Sequence, residues 1–276
     1  MTPWQAAVLA LVQAVTEFLP VSSSGHLILL PRLLGWSDQG LEFDIATNTG
    51  TLLAVMAYFR ADLARMARVF FSSFRSAERA ANPDARLIWL LALATIPAGI
   101  AGLLAKGWIS SYGRDPRLIA ATAIFYGALL LYADRRASGV TLAGGSGREL
   151  GEFGLREALL VGCAQALALV PGTSRSGITL TVALLLGFAR PAAARFSFLL
   201  AIPIGLVLAL KQVVDTLRGL PLGVPSGALA VGIAVSAVAG YAVIAFLLDW
   251  VRKRSLAPFA WYRLALGVVL LLVFAR

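Results

Sequence analysis

The sequence has a single cysteine, a single histidine and little charge: Asp, Glu, Lys and Arg make up 14% of its 276 residues, hydrophobic residues 59%. Soluble domains are roughly a quarter charged, so this scarcity excludes a soluble globular enzyme and indicates a polytopic membrane protein. The lone Cys163 excludes an intrachain disulfide, and its apolar surroundings mark it as a packing residue. The lone His26 excludes any mechanism that needs two histidines. Acidic residues number 14 against 24 Lys and Arg, a formal charge of +10. That basic excess lies between apolar runs of spanning length, the positive-inside pattern, so nucleic acid is not an expected partner. Met1 to Gln5 contain no basic residue, and no small-residue cleavage site follows a short apolar core, so no removable signal peptide is expected.

What is present is organised by length. Six apolar runs, at about 43–59, 87–105, 117–133, 194–210, 227–249 and 258–275, meet the roughly 17–25 residues that a helix needs to cross a bilayer. Two more, about 4–30 and 156–188, are interrupted by Pro20 with Ser22 to Gly25 and by Pro171-Gly172 with Ser174 to Gly177. Irregular backbone at membrane depth is tolerated only where protein buries it or a polar cavity hydrates it. The two breaks therefore predict re-entrant helical hairpins around a shared internal site.

The breaks also resemble each other. An offset of 152 places Gln13-Ala14 on Gln165-Ala166, Ser22 on Ser174, Ser24 on Ser176 and Gly25 on Gly177, with the prolines one place out of register. The expected architecture is all-α: six transmembrane helices plus two re-entrant hairpins in an inverted-topology repeat. Its halves are 1–136 and 152–276, joined by the Gly/Ser-rich segment 137–151 in one membrane domain. On this layout one face collects fifteen basic loop residues, from Arg60 to Arg254, and the other seven: Arg32, Lys106, Arg114, Arg117, Lys211, Arg218 and Arg276. The richer face is assigned to the cytoplasm and both termini to the outside.

Gln13 and Glu17 stand four apart, so on a helix they share a face. A carboxylate inside a membrane is expensive and is a functional candidate by default, with a buried pair to an arginine as the structural alternative. Arg175 in the second break is the available cation, and its planar fork also matches phosphate oxygens. Ser22, Ser23 and Ser24, with Thr173, Ser174 and Ser176 around Arg175, supply hydroxyl donors on open backbone. Helices restarting after each break would aim free N–H groups at an anion. Taken alone, Ser/Gly clusters fit close helix packing; their company with Glu17, Arg175 and His26 favours a phosphate site. His26 is the natural proton carrier near neutral pH, placed to act as base or nucleophile, with hydrogen-bonded packing as the plainer alternative. Asn48 could add a hydrogen bond to the same cavity or serve as glue between helices.

These residues resemble a known family. "QAVTEFLPVSSSGH" and "PGTSRSG" are similar to the two signature motifs of the bacterial undecaprenyl-diphosphate phosphatases of the bacitracin-resistance type, and "FDIATNTGTLLAVMAYFR" and "ARFSFLLAIP" extend the similarity over nearly the whole chain. The resemblance implies hydrolysis of undecaprenyl diphosphate to the monophosphate and inorganic phosphate, recycling the carrier for peptidoglycan and other cell-wall polymers. It also implies a divalent cation, Mg or Ca, a location in the bacterial plasma (inner) membrane, and a homodimer among membrane lipids; separately, the layout with both termini outside leads us to expect the site between the opposed hairpins to open to the outer face. Carried over by residue, Glu17 would bind the metal, Ser23 and His26 would serve attack or proton transfer, and Arg175 with Ser174 and Thr179 would grip the diphosphate. Gln13, where many members have a first glutamate, leaves more of the metal's charge to Glu17. Ser23, His26 and an activated water stand as alternative nucleophiles.

Two other readings compete. Inverted repeats with broken helices are the architecture of many secondary transporters, so a transporter or flippase of a phosphorylated polyprenyl lipid would suit the same pattern. A structural scaffold would tolerate loss of Glu17 and Arg175.

Overall fold

The computed structural model describes residues 1–105, 107, 115–142, 145–218 and 223–274. Lys106, Arg114 and Arg276, counted in the loop charges above, lie outside the described residues, as do 143 and 144 of the expected connection. The first half contains α1 (Pro3–Phe18), α2 (Ser23–Leu34), α3 (Gly40–Tyr58), α4 (Arg60–Val69), α5 (Ser76–Ala81), α6 (Pro83–Leu104) and α7 (Pro116–Leu142). The second contains α8 (Leu155–Leu167), α9 (Arg175–Leu185), α10 (Arg190–Leu217), α11 (Ser226–Lys253) and α12 (Ala257–Phe274). No strand occurs among the described residues.

All six apolar runs fall in helices. Five of these, α6, α7, α10, α11 and α12, are long and apolar enough to cross a membrane, which makes the chain an all-helical polytopic membrane protein. The helix over the first run, α3, is not one of the five: its N-terminal half holds Glu42, Asp44, Thr47, Asn48 and Thr49. The two interrupted runs each resolve into a helix pair with the break where Pro and Ser predict it, α1/α2 at 19–22 and α8/α9 at 168–174. Helix α1 is started by Thr2 and Pro3, with Gln5 closing a reciprocal capping box.

The helix starts keep the offset seen in the sequence: α8 begins 152 residues after α1, and α9 begins 152 after α2. Packing is reciprocal as well, with α1 against α11 and α8 against α6. Lipid tails are as apolar as leucine, so contacts of this kind depend on close backbone approach at small residues. Gly162 of α8 is one: a Cβ built there would lie 2.3 Å from the Ala94 carbonyl oxygen of α6.

One expectation is corrected. Cys163 is exposed on the outside of α8 and does not pack in the core, because Gly162 and Ala164 occupy the adjoining inward positions. The connecting segment is helical through Leu142, its Gly and Ser notwithstanding. Ser138 Oγ donates to Asp134 O at 3.0 Å and accepts from Arg190, whose Nε donates to buried Asp134 at 2.6 Å, so tertiary contacts hold this last stretch of helix.

Irregular backbone at both breaks is satisfied from outside the breaks. Arg263 of α12 is completely buried, with no carboxylate within ion-pair distance among the described residues. Its Nη2 donates to the carbonyls of Gly172 (2.9 Å) and Thr173 (2.8 Å), and its Nη1 lies 3.5 Å from that of Pro20. Thr122 of α7 donates to Pro171 O at 2.7 Å. Gly172 itself has φ +86°, and a Cβ there would fall 2.1 Å from Thr122 Oγ1, so no larger residue fits this turn.

Two outcomes follow for stability in detergent. Gly162→Ala lowers the thermal midpoint through a forced shift of α8 against α6, whereas Gly99→Ala, where an added Cβ meets nothing within 4 Å, holds or raises it. Arg263→Met leaves the loop carbonyls unpaired at roughly 1–3 kcal/mol each, so it unfolds well below the parent, and Arg263→Lys, lacking the fork, restores only part of the difference.

Candidate active site between the broken helices

The tips of the two helix pairs meet, and the residues singled out by the motifs converge there. Helix α1 delivers Glu17 in its last turn, one turn after Gln13. The chain then turns through Leu19 to Ser22 and restarts as α2 at Ser23; the second pair turns through Ala168 to Ser174 and restarts as α9 at Arg175. The residue before each restart has the same rare backbone: Ser22 at φ 76° and Ser174 at φ 68° are the two non-glycine residues of positive φ among the described residues. Side chains disfavour that region, and such strain persists where surrounding contacts impose it, often at functional sites.

Two carboxylate oxygens organise the cluster. Glu17 Oε1 accepts from Arg175 Nη2 at 2.9 Å. Its Oε2 accepts from Ser23 Oγ at 2.7 Å and from Gln13 Nε2 at 3.2 Å, and the same Gln13 amide donates to Asn48 Oδ1 at 3.0 Å. The Glu17 side chain is 11% exposed and that of Arg175 is 20% exposed, so the pair sits in partial contact with a cavity and keeps access to a ligand. Arg175 Nη1 is buried and unpartnered.

The cavity has a volume of about 250 Å³ and is lined on one side by Glu17, Ser23, Ser24, Asn48, Ser174 and Arg175. The remaining wall is mostly apolar, including Leu52, Val55, Ala98, Leu169, Ile204 and Leu208. At α9 the Ser174 hydroxyl caps the helix by accepting from Gly177 N at 3.1 Å; at α2 Ser22 makes no side-chain cap. Ser23 and Ser24, the first residues of α2, line the cavity, and no side chain caps this positive helix end.

Other expected residues serve the frame. Ser176 Oγ bridges to the carbonyls of Glu17 (3.0 Å) and Leu19 (3.2 Å), and Gly172 N lies 3.4 Å from Ser24 Oγ, tying the two breaks together. Thr179 is buried against Ser197 at 2.7 Å and does not line the cavity. Ser22 approaches Ser24 Oγ at 3.4 Å and presents its carbonyl to His26. His26 Nδ1 is 2.7 Å from that carbonyl, which can only accept, so Nδ1 carries the proton and Nε2 accepts from the Tyr262 hydroxyl at 2.6 Å. Both ring nitrogens are thus occupied outside the cavity, and the imidazole and phenol rings lie nearly parallel, at 9°.

Sequence reasoning overlooked Arg263 and Tyr262. An arginine inside an apolar run of spanning length was the available signal; for Tyr262 no local signal exists, since its meaning comes from His26, 236 positions away.

For a metal, the donor set is oxygen-only. No three His, Cys, Asp or Glu side chains that could hold a metal meet among the described residues, which therefore offer no multi-carboxylate cage. Glu17 with the Asn48 carboxamide oxygen fits a hard cation that shares its coordination with substrate phosphates, the usual manner of Mg²⁺, while Gln13 turns its NH2 group toward both.

Comparison with known proteins places this geometry. Residues 6–269 match the family described as "Bacitracin resistance protein BacA". The chain is 48% identical over 272 residues, 98% of both chains, to a protein of Magnetococcus marinus named "Undecaprenyl-diphosphatase". It is also 48% identical over 271 residues, again 98% of both, to "Undecaprenyl-diphosphatase 2" of Stutzerimonas stutzeri. With nearly its whole length matched, both broken helices included, the chain belongs to the bacitracin resistance protein BacA family.

Proposed function

We propose that the chain is an integral-membrane phosphatase that hydrolyses undecaprenyl diphosphate to undecaprenyl phosphate and inorganic phosphate. This activity returns the lipid carrier to peptidoglycan and other cell-wall synthesis and confers bacitracin resistance. The observation that carries the reading is the Glu17, Ser23 and Arg175 cluster on one wall of a cavity whose other wall is apolar. A diphosphate on a long hydrocarbon chain needs that division. The names of both relatives support the same substrate.

The chemistry follows from the hydrogen bonds. Ser23 Oγ, donating to Glu17, is the group best placed to attack the terminal phosphorus while its proton passes to the carboxylate. The bond from that phosphorus to the bridging oxygen breaks, undecaprenyl phosphate leaves, and water hydrolyses the phosphoserine to release inorganic phosphate and restore Ser23. Arg175 grips the transferred group through its unused Nη1, and the N-terminus of α2 faces the growing charge. His26, latched to Ser22 O and Tyr262, holds the strained turn that aims Ser23. A divalent cation held at Glu17 with the Asn48 carboxamide oxygen would neutralise diphosphate charge and polarise its phosphoryl oxygens.

We read the architecture as six spans and two re-entrant hairpins in an inverted repeat of halves 1–136 and 152–276, joined by 137–151. The common offset of 152, the paired backbone of Ser22 and Ser174 and the reciprocal packing support it. The bias in loop charge supports a plasma-membrane orientation with both termini outside and the cavity opening outward. A homodimer is the proposed assembly, by family resemblance alone.

The expected outcome is that purified protein in detergent releases phosphate from undecaprenyl diphosphate and that a chelator abolishes the release. Glu17→Ala and Ser23→Ala, folded as judged by thermal midpoint, lose roughly 10²- to 10⁴-fold in rate, and Arg175→Ala roughly 10²- to 10³-fold. No release by the folded parent with any divalent cation overturns the phosphatase and leaves lipid transport as the function. For orientation, in a Cys163→Ser background, a membrane-impermeant thiol reagent applied to intact cells labels Thr2→Cys and spares Arg68→Cys; the reverse pattern overturns the outward assignment.

A further inference from the structure

Gln165 stands in the last turn of α8, 3% exposed, on the wall of the same cavity. Both its Oε1 and its Nε2 are buried without a hydrogen-bond partner. Native interiors satisfy nearly all such groups, so an orphaned carboxamide calls for a partner that the protein itself does not supply.

Its counterpart 152 residues earlier shows what is missing. Gln13 donates to Glu17 and Asn48. In the second half Leu169 stands where the offset would place a glutamate, so Gln165 keeps the donor and has lost the acceptor. Glu17 does not serve it: its oxygens accept from Arg175, Ser23 and Gln13, and Gln165 makes no hydrogen bond to them. Arg175, whose side chain lines the same cavity, has in its Nη1 a second buried donor without an acceptor. Two unused donors beside one cavity call for an anion rich in acceptor oxygens.

We propose that Gln165 is a substrate-positioning residue whose Nε2 donates to the phosphate that stays on the lipid. This inference rests on the phosphatase reading of the cavity. Glu17, Ser23 and Arg175 surround the place of the reacting phosphate; Gln165, in the last turn before the break, lines the cavity together with Ala168 and Leu169 of the apolar wall, on the side proposed for the hydrocarbon chain. Turning its flexible side chain into the cavity exchanges an unpaired carboxamide for a charge-assisted hydrogen bond. The contact persists in both substrate and lipid product, so it is uniform binding and acts on KM.

The test uses Gln165→Leu, with Gln165→Met as a second apolar replacement of similar length should the first fail to fold. Undecaprenyl diphosphate is the substrate, with undecaprenyl phosphate and inorganic phosphate as separate inhibitors. The expected result is a KM raised on the order of 10-fold or more with kcat nearly unchanged, and inhibition by undecaprenyl phosphate weakened by the same factor. Inhibition by inorganic phosphate stays at the parent level, and the thermal midpoint without ligand is equal or higher, since an unpaired polar group has been replaced by an apolar one. A lower midpoint with unchanged KM overturns the proposal in favour of a structural role. A fall in kcat alone overturns the assignment to the retained phosphate. A parent that releases no phosphate fails the phosphatase reading, whereas an active parent whose Gln165→Leu variant matches it in every constant fails this inference alone.

Discussion

Backbone that leaves a helix inside a membrane must find its hydrogen bonds within the protein, because lipid offers none. This chain leaves the helix twice, at breaks whose tips meet, and the rest of the structure answers that demand. Arg263 crosses from α12 to the carbonyls of the second break and approaches the first; Thr122 comes from α7; Ser176 of one break reaches the carbonyls flanking the other. Neither loop is complete without the other. The site is therefore a property of the assembled halves, and a cavity exists because two strained turns are held face to face.

The charges inside this frame are allocated with the same economy. Arg263 is neutralised by carbonyl dipoles, which leaves Glu17 free of it. Glu17 pairs with Arg175 through one oxygen and gathers Ser23 and Gln13 on the other. A buried pair of this kind contributes little net stability, since desolvation offsets most of the Coulomb attraction. What it secures is geometry: a serine hydroxyl directed by a carboxylate, beside a guanidinium with an unused nitrogen.

The two breaks have one backbone form and different chemistry. Ser22 and Ser174 share their rare conformation, yet the following residue is Ser23 in one and Arg175 in the other, and the positions of Glu17 and His26 are taken by Leu169 and Ile178. The hydroxyl, carboxylate and imidazole thus come from the first half and the guanidinium from the second. One acceptor-seeking residue, Gln165, stands in the second half without the partners its counterpart has.

The amino-acid order by itself determined the membrane class, the helices over all six apolar runs, both interruptions and the meeting of Glu17 with Arg175. These depend on local composition and on the cost of charge and broken backbone in lipid, which are legible one segment at a time. Position in the chain did not reveal that Cys163 faces outward, that the helix after the third long run continues through Ser138 and Gly139, or that His26 is bound to Tyr262. Nor did it separate the polar residues that line the cavity from Thr179 and Ser176, which brace it. Those outcomes were decided by tertiary structure alone, because each depends on which distant helix supplies the hydrogen-bond partner, and that follows from packing between the halves.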